Sequence, residues 1–251
     1  MTSPGPVAFS MFGYDIMWYG ILIALSFLTA IYISYRRANL FSINPEEIFN
    51  LSMWIIPLSV AGARLYYVVF SWKLYENDYL SVFNIREGGL AIHGGLIAGG
   101  LFCVFFCKYK NISLPDLADL LLPSVALAQS IGRWGNFFNS EAHGTKTTLP
   151  WGIIVDGVKV HPTFLYESVW CLLLFFLLSS MIKRRKFSGQ IAMLYGILYS
   201  LERFFVEGLR TDSLMLGPFR QAQLLSLFLI ALSLSGYIYL HKKSSSRKSD
   251  N

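Results

Sequence analysis

Charge is scarce in this chain of 251 residues: Asp, Glu, Lys and Arg make up 14%, against 54% hydrophobic and 16% aromatic residues. With a positive mean hydropathy, that balance excludes an ordinary soluble protein and predicts a polytopic membrane protein with little extra domain. Cysteine is scarce too. Cys103, Cys107 and Cys171 all lie inside apolar runs, too few and wrongly spaced for a zinc site or a disulfide framework, which leaves them to packing. No HExxH or comparable ligand pair joins His93, His143 or His161, so no metal is expected. The chain also lacks a GxSxG elbow and a P-loop, which leaves a covalent serine mechanism and nucleotide use without support. The net charge of +6 comes from short separate clusters and not from one stripe interleaved with aromatics, so no nucleic acid is expected as a partner. No Lys or Arg precedes Arg36; the first apolar run therefore lacks the basic leading region of a secretory signal peptide and reads as a retained span. No internal repeat of about 20–50 residues is apparent.

What the chain does have is apolar runs near the ~20-residue length of a membrane span. Seven qualify, at 17–35, 48–70, 89–107, 115–131, 163–182, 189–207 and 219–240. The clusters Arg36/Arg37, Lys108/Lys110, Lys183/Arg184/Arg185/Lys186 and Lys242/Lys243/Arg247/Lys248 follow the first, third, fifth and seventh. The positive-inside rule then places the N-terminus outside and the C-terminus in the cytoplasm. The expected architecture is an all-α integral membrane protein, a single polytopic domain over 1–251 with seven transmembrane helices. A small outer-face (periplasmic) head at about 132–162, marked by Gly144, Pro150, Gly157 and Pro162, holds turns and short strands. From about 243 a Ser- and Lys-rich end reads as a disordered basic tail facing the membrane.

Against this apolar background, the segment GRWGNFFNSE, Gly132 to Glu141, carries an arginine, two asparagines and a glutamate. A charge at the bilayer centre costs roughly 2.5–3.5 kcal/mol on insertion scales, so such a cluster marks a candidate site. The predicted topology brings other polar residues to the same outer level: Tyr19 opens span one, His93 lies in the outer part of span three, Arg133 ends span four, and Arg203, Glu207 and Arg210 come late in span six. Tyr199, Arg203, Glu207 and Arg210 are spaced by four, four and three, which puts them on one helical face. An internal Arg203–Glu207 salt bridge that merely lets a charged stripe survive is the plainer reading of that stripe. Arg64, within span two, reads as structurally paired. The glycines around His93, with Gly95 and Gly99 as one pair, read as helix packing, and Asp119 as a buried anchor before a proton carrier.

Taken together, these residues resemble the bacterial phosphatidylglycerol:prolipoprotein diacylglyceryl transferase family, along nearly the whole chain. The signature GRxGNFxNxE is met by Gly132, Arg133, Gly135, Asn136, Phe137, Asn139 and Glu141, with Gly144 following. An HGG element matches at His93, Gly94 and Gly95, preceded by Gly88 and Gly89. Trp18-Tyr19-Gly20, an HPxxLYE element from His161 to Glu167, and Tyr-x3-Arg-x3-Glu-x2-Arg at Tyr199, Arg203, Glu207 and Arg210 complete the match. Residues 142–160, with His143 and Lys146, match nothing comparable.

The resemblance implies a transferase of the bacterial plasma (inner) membrane that starts lipoprotein maturation. It moves the diacylglyceryl group of phosphatidylglycerol to the lipobox cysteine thiol of a prolipoprotein signal peptide, forming a thioether and releasing glycerol phosphate. Both substrates reach it sideways through membrane lipid, no soluble cofactor is needed, and a monomer suffices. The residues on hand suit that chemistry. A thiol of pKa near ~8.5 is mostly protonated at neutral pH and needs a base or a positive field, and a departing phosphate ester needs cations preorganised around it. Arg133 and Arg203 are the candidates for the phosphate, and His93 for proton transfer, with Tyr19 and Tyr199 as orienting or alternative groups. Asn136, Asn139 and Glu141 hold the glycerol headgroup or fix the arginines, Gly144 and Arg210 join them on the substrate, and Glu207 fixes Arg203 or Arg210. The rival reading is a lipid or anion transporter using the same arginines and histidine as a pathway; it predicts polar residues at matching positions in two halves, and none is seen.

Overall fold

A chain inside lipid must satisfy its own backbone N–H and C=O groups, and a helix does this along its length. The computed structural model, which describes residues 2–76, 78–85 and 88–249, is accordingly built on seven long helices: α1 (Trp18–Arg37), α2 (Pro45–Phe70), α3 (Ile92–Lys110), α4 (Leu114–Phe138), α5 (Thr163–Met181), α6 (Gln190–Leu209) and α7 (Gln221–Ser249). Each overlaps one predicted run. Among the described residues, six helical stretches are long and apolar enough to cross a membrane. The exception is α6, where Glu202, Arg203 and Glu207 interrupt the apolar sequence.

Two compact units divide the chain, Met1–Ser34 with Ala118–Asn251, and Tyr35–Leu117, where the sequence suggests one domain. The division follows the packing: α2 pairs with α3, while α6 pairs with α5 and α7.

In the unit Tyr35–Leu117, α2 begins where a helix should. Asn44 caps it, its side chain accepting a hydrogen bond from the Glu46 N–H at 3.1 Å, with Pro45 at the first position and Glu46 and Glu47 in the first turn. α3 lies so close to α2 that Gly94 approaches Gly62 and Tyr66, and a Cβ on Gly95 would stand 3.2 Å from the Ser59 carbonyl oxygen. The small residues thus serve helix packing, as expected of them. Arg64 of α2 is buried and gathers the loop that joins the two helices. Its Nε donates to the Val82 carbonyl (2.7 Å), Nη1 to Gly88 (2.9 Å) and Gly89 (3.0 Å), and Nη2 to Ser81 (2.7 Å) and Asn84 (3.0 Å). Its pairing is therefore with backbone carbonyls.

In the other unit, a β-hairpin of β1 (Val7–Met11) and β2 (Tyr14–Met17) leads into α1. α4 runs seven residues past the expected end of its span at 131, through the signature as far as Phe138. The reason is a small aromatic core: Phe137 packs with Ile153, Val160 and Phe164, flanked by Trp134 and Phe138, and this makes the last two turns worth keeping helical. Ile153 and Val160 come from a second hairpin, β3 (Ile153–Val155) and β4 (Val158–Val160), which supplies short strands within 132–162. A third hairpin, β5 (Met215–Leu216) with β6 (Phe219–Arg220), separates α6 from α7.

Asp119 of α4, fully buried, accepts hydrogen bonds from the N–H groups of Gly189 and Ala192, both at 2.8 Å, and from Arg185 at 3.1 Å. A carboxylate at a helix N-terminus satisfies donors that the helix cannot, so Asp119 fixes the start of α6 to α4 as an anchor. At the other end of the unit α7 continues through Lys242 and Lys243 to Ser249, where a disordered tail is expected. Lys, Arg and Ser extend an existing helix at little cost. Asp250 and Asn251 lie outside the described residues.

Candidate functional site

Three arginines from three places in the chain meet on one carboxylate. Arg133 sits on the penultimate turn of α4, Arg203 on α6, and Arg210 just past the end of α6, in extended conformation. Glu167, on the second turn of α5 and only 2% exposed, receives all three. Arg133 Nη2 lies 2.5 Å from Glu167 Oε2; Arg203 Nη1 and Arg210 Nη1 lie 3.2 and 3.8 Å from Oε1. Glu207, also buried, takes Arg203 Nη2 at 2.5 Å one helical turn away. Arg210 is held by Asp212 through two bonds, Nε to Oδ1 at 2.9 Å and Nη2 to Oδ2 at 2.7 Å. That pair lies outside the helices: the Arg210 guanidinium holds the Asp212 carboxyl below its ordinary value. Burial works against charge on Arg210, but Asp212, Glu167 and Glu207 together outweigh it and the guanidinium is raised above its own.

Charges so buried persist only when paired with good geometry, and removing one partner is far costlier than the pair is worth. Glu167 thus sets the register of the cluster. It is the residue that sequence reasoning missed, since only its place at the end of the HPxxLYE element hinted at it. The expected Arg203–Glu207 bridge is present as one bond of a larger network.

Other predicted residues lie in the same unit, and Tyr199 reaches the cluster. The Tyr199 hydroxyl accepts a long hydrogen bond from Arg133 Nη2 at 3.5 Å. Tyr19, on the first turn of α1, lies against Gly135, where a Cβ would stand 2.5 Å from the ring; only glycine admits the ring at that place, two residues from Arg133. Asn136 and Asn139 both donate from Nδ2 to Glu141 Oε1 at 3.3 Å, so the signature closes on itself just after the helix, with Asn139 and Glu141 exposed. Gly144 is a point of close approach. Its N–H donates to the His161 carbonyl at 2.9 Å, and a Cβ would stand 2.7 Å from that of His161 and 3.1 Å from the Leu209 carbonyl oxygen. It ties the segment after α4 to the start of α5 and the end of α6, where Arg210 lies. Arg220 reinforces this corner by donating to the Glu207 carbonyl, to the Arg210 carbonyl at 3.0 Å and to Ser213 Oγ at 3.3 Å, capping carbonyls that the helix leaves open.

His93 belongs to the unit Tyr35–Leu117. It occupies the first turn of α3, with its ring 6.3 Å from that of Tyr66 and tilted by 34°. Among the described residues no group of His, Cys, Asp and Glu is placed to hold a metal ion.

This arrangement suits an anion: guanidinium groups preorganised by carboxylates, with N–H donors that no described residue engages. Among the described residues Arg133 engages its partners through Nη2, with Nε and Nη1 left over. Comparisons with known proteins point the same way. The family model described as prolipoprotein diacylglyceryl transferase matches residues 6–239. A protein of Clostridioides difficile (strain 630) named phosphatidylglycerol–prolipoprotein diacylglyceryl transferase is 50% identical over 244 residues, covering 97% of this chain and 98% of the relative. Proteins of the same name from Finegoldia magna and Listeria welshimeri are 51% and 44% identical, covering 92% and 95% of this chain and 93% and 90% of the relatives. With a match that runs almost from end to end, the chain belongs to the prolipoprotein diacylglyceryl transferase family.

Proposed function

We propose that this protein transfers the diacylglyceryl group of phosphatidylglycerol to the cysteine thiol of a prolipoprotein signal peptide. The observation that carries the reading is the convergence of Arg133, Arg203 and Arg210 on Glu167, within a family whose relatives bear that activity in their name. In the reaction the thiolate sulfur bonds to the glyceryl carbon, the carbon–oxygen bond to phosphate breaks, and its electron pair leaves on glycerol phosphate. Charge grows on the phosphate as the bond breaks. Guanidinium forks held in place beforehand stabilise that charge without reorganising, and contacts that tighten in this step are the ones that accelerate it.

Arg133 and Arg203 bind the phosphate, and Arg210 with Glu207 and Glu167 holds them in register. His93 takes the thiol proton, an assignment that rests on imidazole chemistry at neutral pH and on the HGG element. Tyr19 and Tyr199 orient the reacting groups; Asn136, Asn139 and Glu141 bind the glycerol headgroup at the exposed end. α6 forms the seventh span, its Arg203 and Glu207 in the cluster, with the N-terminus outside and the C-terminus in the cytoplasm of a bacterial plasma membrane. The test is to incubate purified protein with phosphatidylglycerol labelled in its acyl chains and a lipobox peptide. Label on the cysteine peptide, none on its serine counterpart, and release of glycerol phosphate support the reading; lipid movement with no covalent product overturns it in favour of transport.

A further inference from the structure

Glu202 is the charged residue of α6 for which the cluster has no use. It is 6% exposed, and neither of its carboxyl oxygens has a hydrogen-bond partner among the described residues. Such an unpaired group carries the full cost of its lost water. Glu202 lines a groove of about 320 Å³ between α5 and α6, together with Tyr166, Trp170, Leu201, Phe205 and Val206. Two of its lining residues, Leu201 and Phe205, are 39% and 66% exposed, so the groove is open on that side.

The other polar tips of the groove are already engaged. Trp170 Nε1 donates to the Leu198 carbonyl at 3.1 Å, and the Tyr166 hydroxyl accepts from Trp151 Nε1 at 3.0 Å and meets His161 Nδ1 at 3.2 Å. What remains is an apolar slot with one buried acceptor that lacks a donor. Acyl chains and ester groups bring no donor. The hydroxyls of a phosphatidylglycerol headgroup do, but they are tied to a phosphate that the arginines attract. An extended apolar peptide fits both requirements, because each residue it unwinds within lipid exposes an N–H that must find an acceptor.

We propose that the α5–α6 groove receives the extended segment of the peptide substrate around its acceptor cysteine, with Glu202 accepting a hydrogen bond from one of its backbone N–H groups. This rests on the transferase reading and adds a peptide site to it. A carboxyl oxygen accepts whatever the protonation of its partner oxygen, so Glu202→Gln should keep the contact while Glu202→Leu removes it.

The experiment measures steady-state kinetics of the purified full chain, varying lipobox peptide and phosphatidylglycerol separately. Glu202→Leu should raise KM for the peptide at least tenfold, a loss within the range for a hydrogen bond to a charged group, and leave KM for the lipid within twofold; Glu202→Gln should stay within threefold of wild type for both. A peptide series N-methylated at successive positions should lose affinity at one position with wild type and not with Glu202→Leu. Should Glu202→Leu not fold, Leu201→Trp, which fills the groove from its exposed side, should raise the peptide KM in its place. An unchanged peptide KM, a shift confined to the lipid, or an N-methyl penalty equal in both proteins overturns the peptide site. Absence of product from wild type defeats the transferase reading itself.

Discussion

Two arginines of this chain show how differently one side chain can be used near lipid. Arg64 spends its donors on five backbone carbonyls of a single loop, 8% exposed and with nothing left to offer. Arg133 is paired with one carboxylate and one hydroxyl through a single nitrogen, 22% exposed, with donors to spare. The first arrangement is a clasp: carbonyl dipoles disperse the charge, and no anion can compete for it. In the second, fixed carboxylates hold three cations in place while their remaining N–H groups stay available. Burial alone does not separate a structural arginine from a functional one; the count of satisfied donors does.

The contrast breaks most sharply at Glu167. Replacing it with Ala removes the carboxylate that Arg133, Arg203 and Arg210 share and leaves Arg203 paired with Glu207 and Arg210 with Asp212. Orphaning a buried charge costs about 3–5 kcal/mol, so Glu167→Ala should lose both thermal stability and product formation, whereas Glu167→Gln should recover much of the stability and little of the activity. Thermal unfolding in detergent beside the labelled-lipid assay measures both. If Glu167→Ala unfolds at the wild-type temperature, the cluster is not held as described.

Arg203→Lys comes next. Lysine keeps the charge but not the fork that spans Glu167 and Glu207, so product formation should fall by roughly 100–1,000-fold, the loss typical of a removed oxyanion donor, with stability changed far less. Arg64→Lys should do the reverse. Three ammonium protons cannot serve five carbonyls, and losing two charge-assisted bonds, at about 1.5 kcal/mol or more each, should lower the unfolding temperature while turnover per folded molecule stays within about tenfold. A deeper loss of turnover in Arg64→Lys than in Arg203→Lys would erase the distinction between clasp and site.

Where the sequence speaks and where it falls silent follows from the range of each interaction. Helix positions were legible because hydropathy is a local average: each of the seven runs overlaps a helix. α4 runs on by seven residues because the aromatic core that supports its last turns is assembled with β3, β4 and α5, and α7 runs on to Ser249 because its polar end extends an existing helix at little cost. The Tyr199–Arg203–Glu207 stripe was legible because helical spacing is local too. Glu167 was not, since its partners lie 34 residues before it and 36 and 43 after it, and no periodicity reports a meeting at that distance. Carbonyl partners such as those of Arg64 leave no mark in composition at all. Glu202 escaped because it lies off the stripe, about 100° around the helix from Arg203.

The rim of the cluster should give the smallest effect. Asp212 is 49% exposed and pairs with Arg210, so Asp212→Asn should cost no more than about 1 kcal/mol, as exposed ion pairs do, with product formation within a few-fold of wild type. Its signature lies in pH. The Asp212 carboxyl is held below its ordinary value by Arg210, so the pair contributes its full stability above the unfolded value of about 3.9, and that contribution is lost as pH falls through the lower folded value. The difference in unfolding temperature between wild type and Asp212→Asn should therefore be constant from neutral pH down to about 5 and shrink only in stronger acid. A difference that grows on acidification would mean that Asp212 is protonated in the folded protein. Arg210 would then depend on Glu167 alone, and the rim would belong to the buried cluster after all.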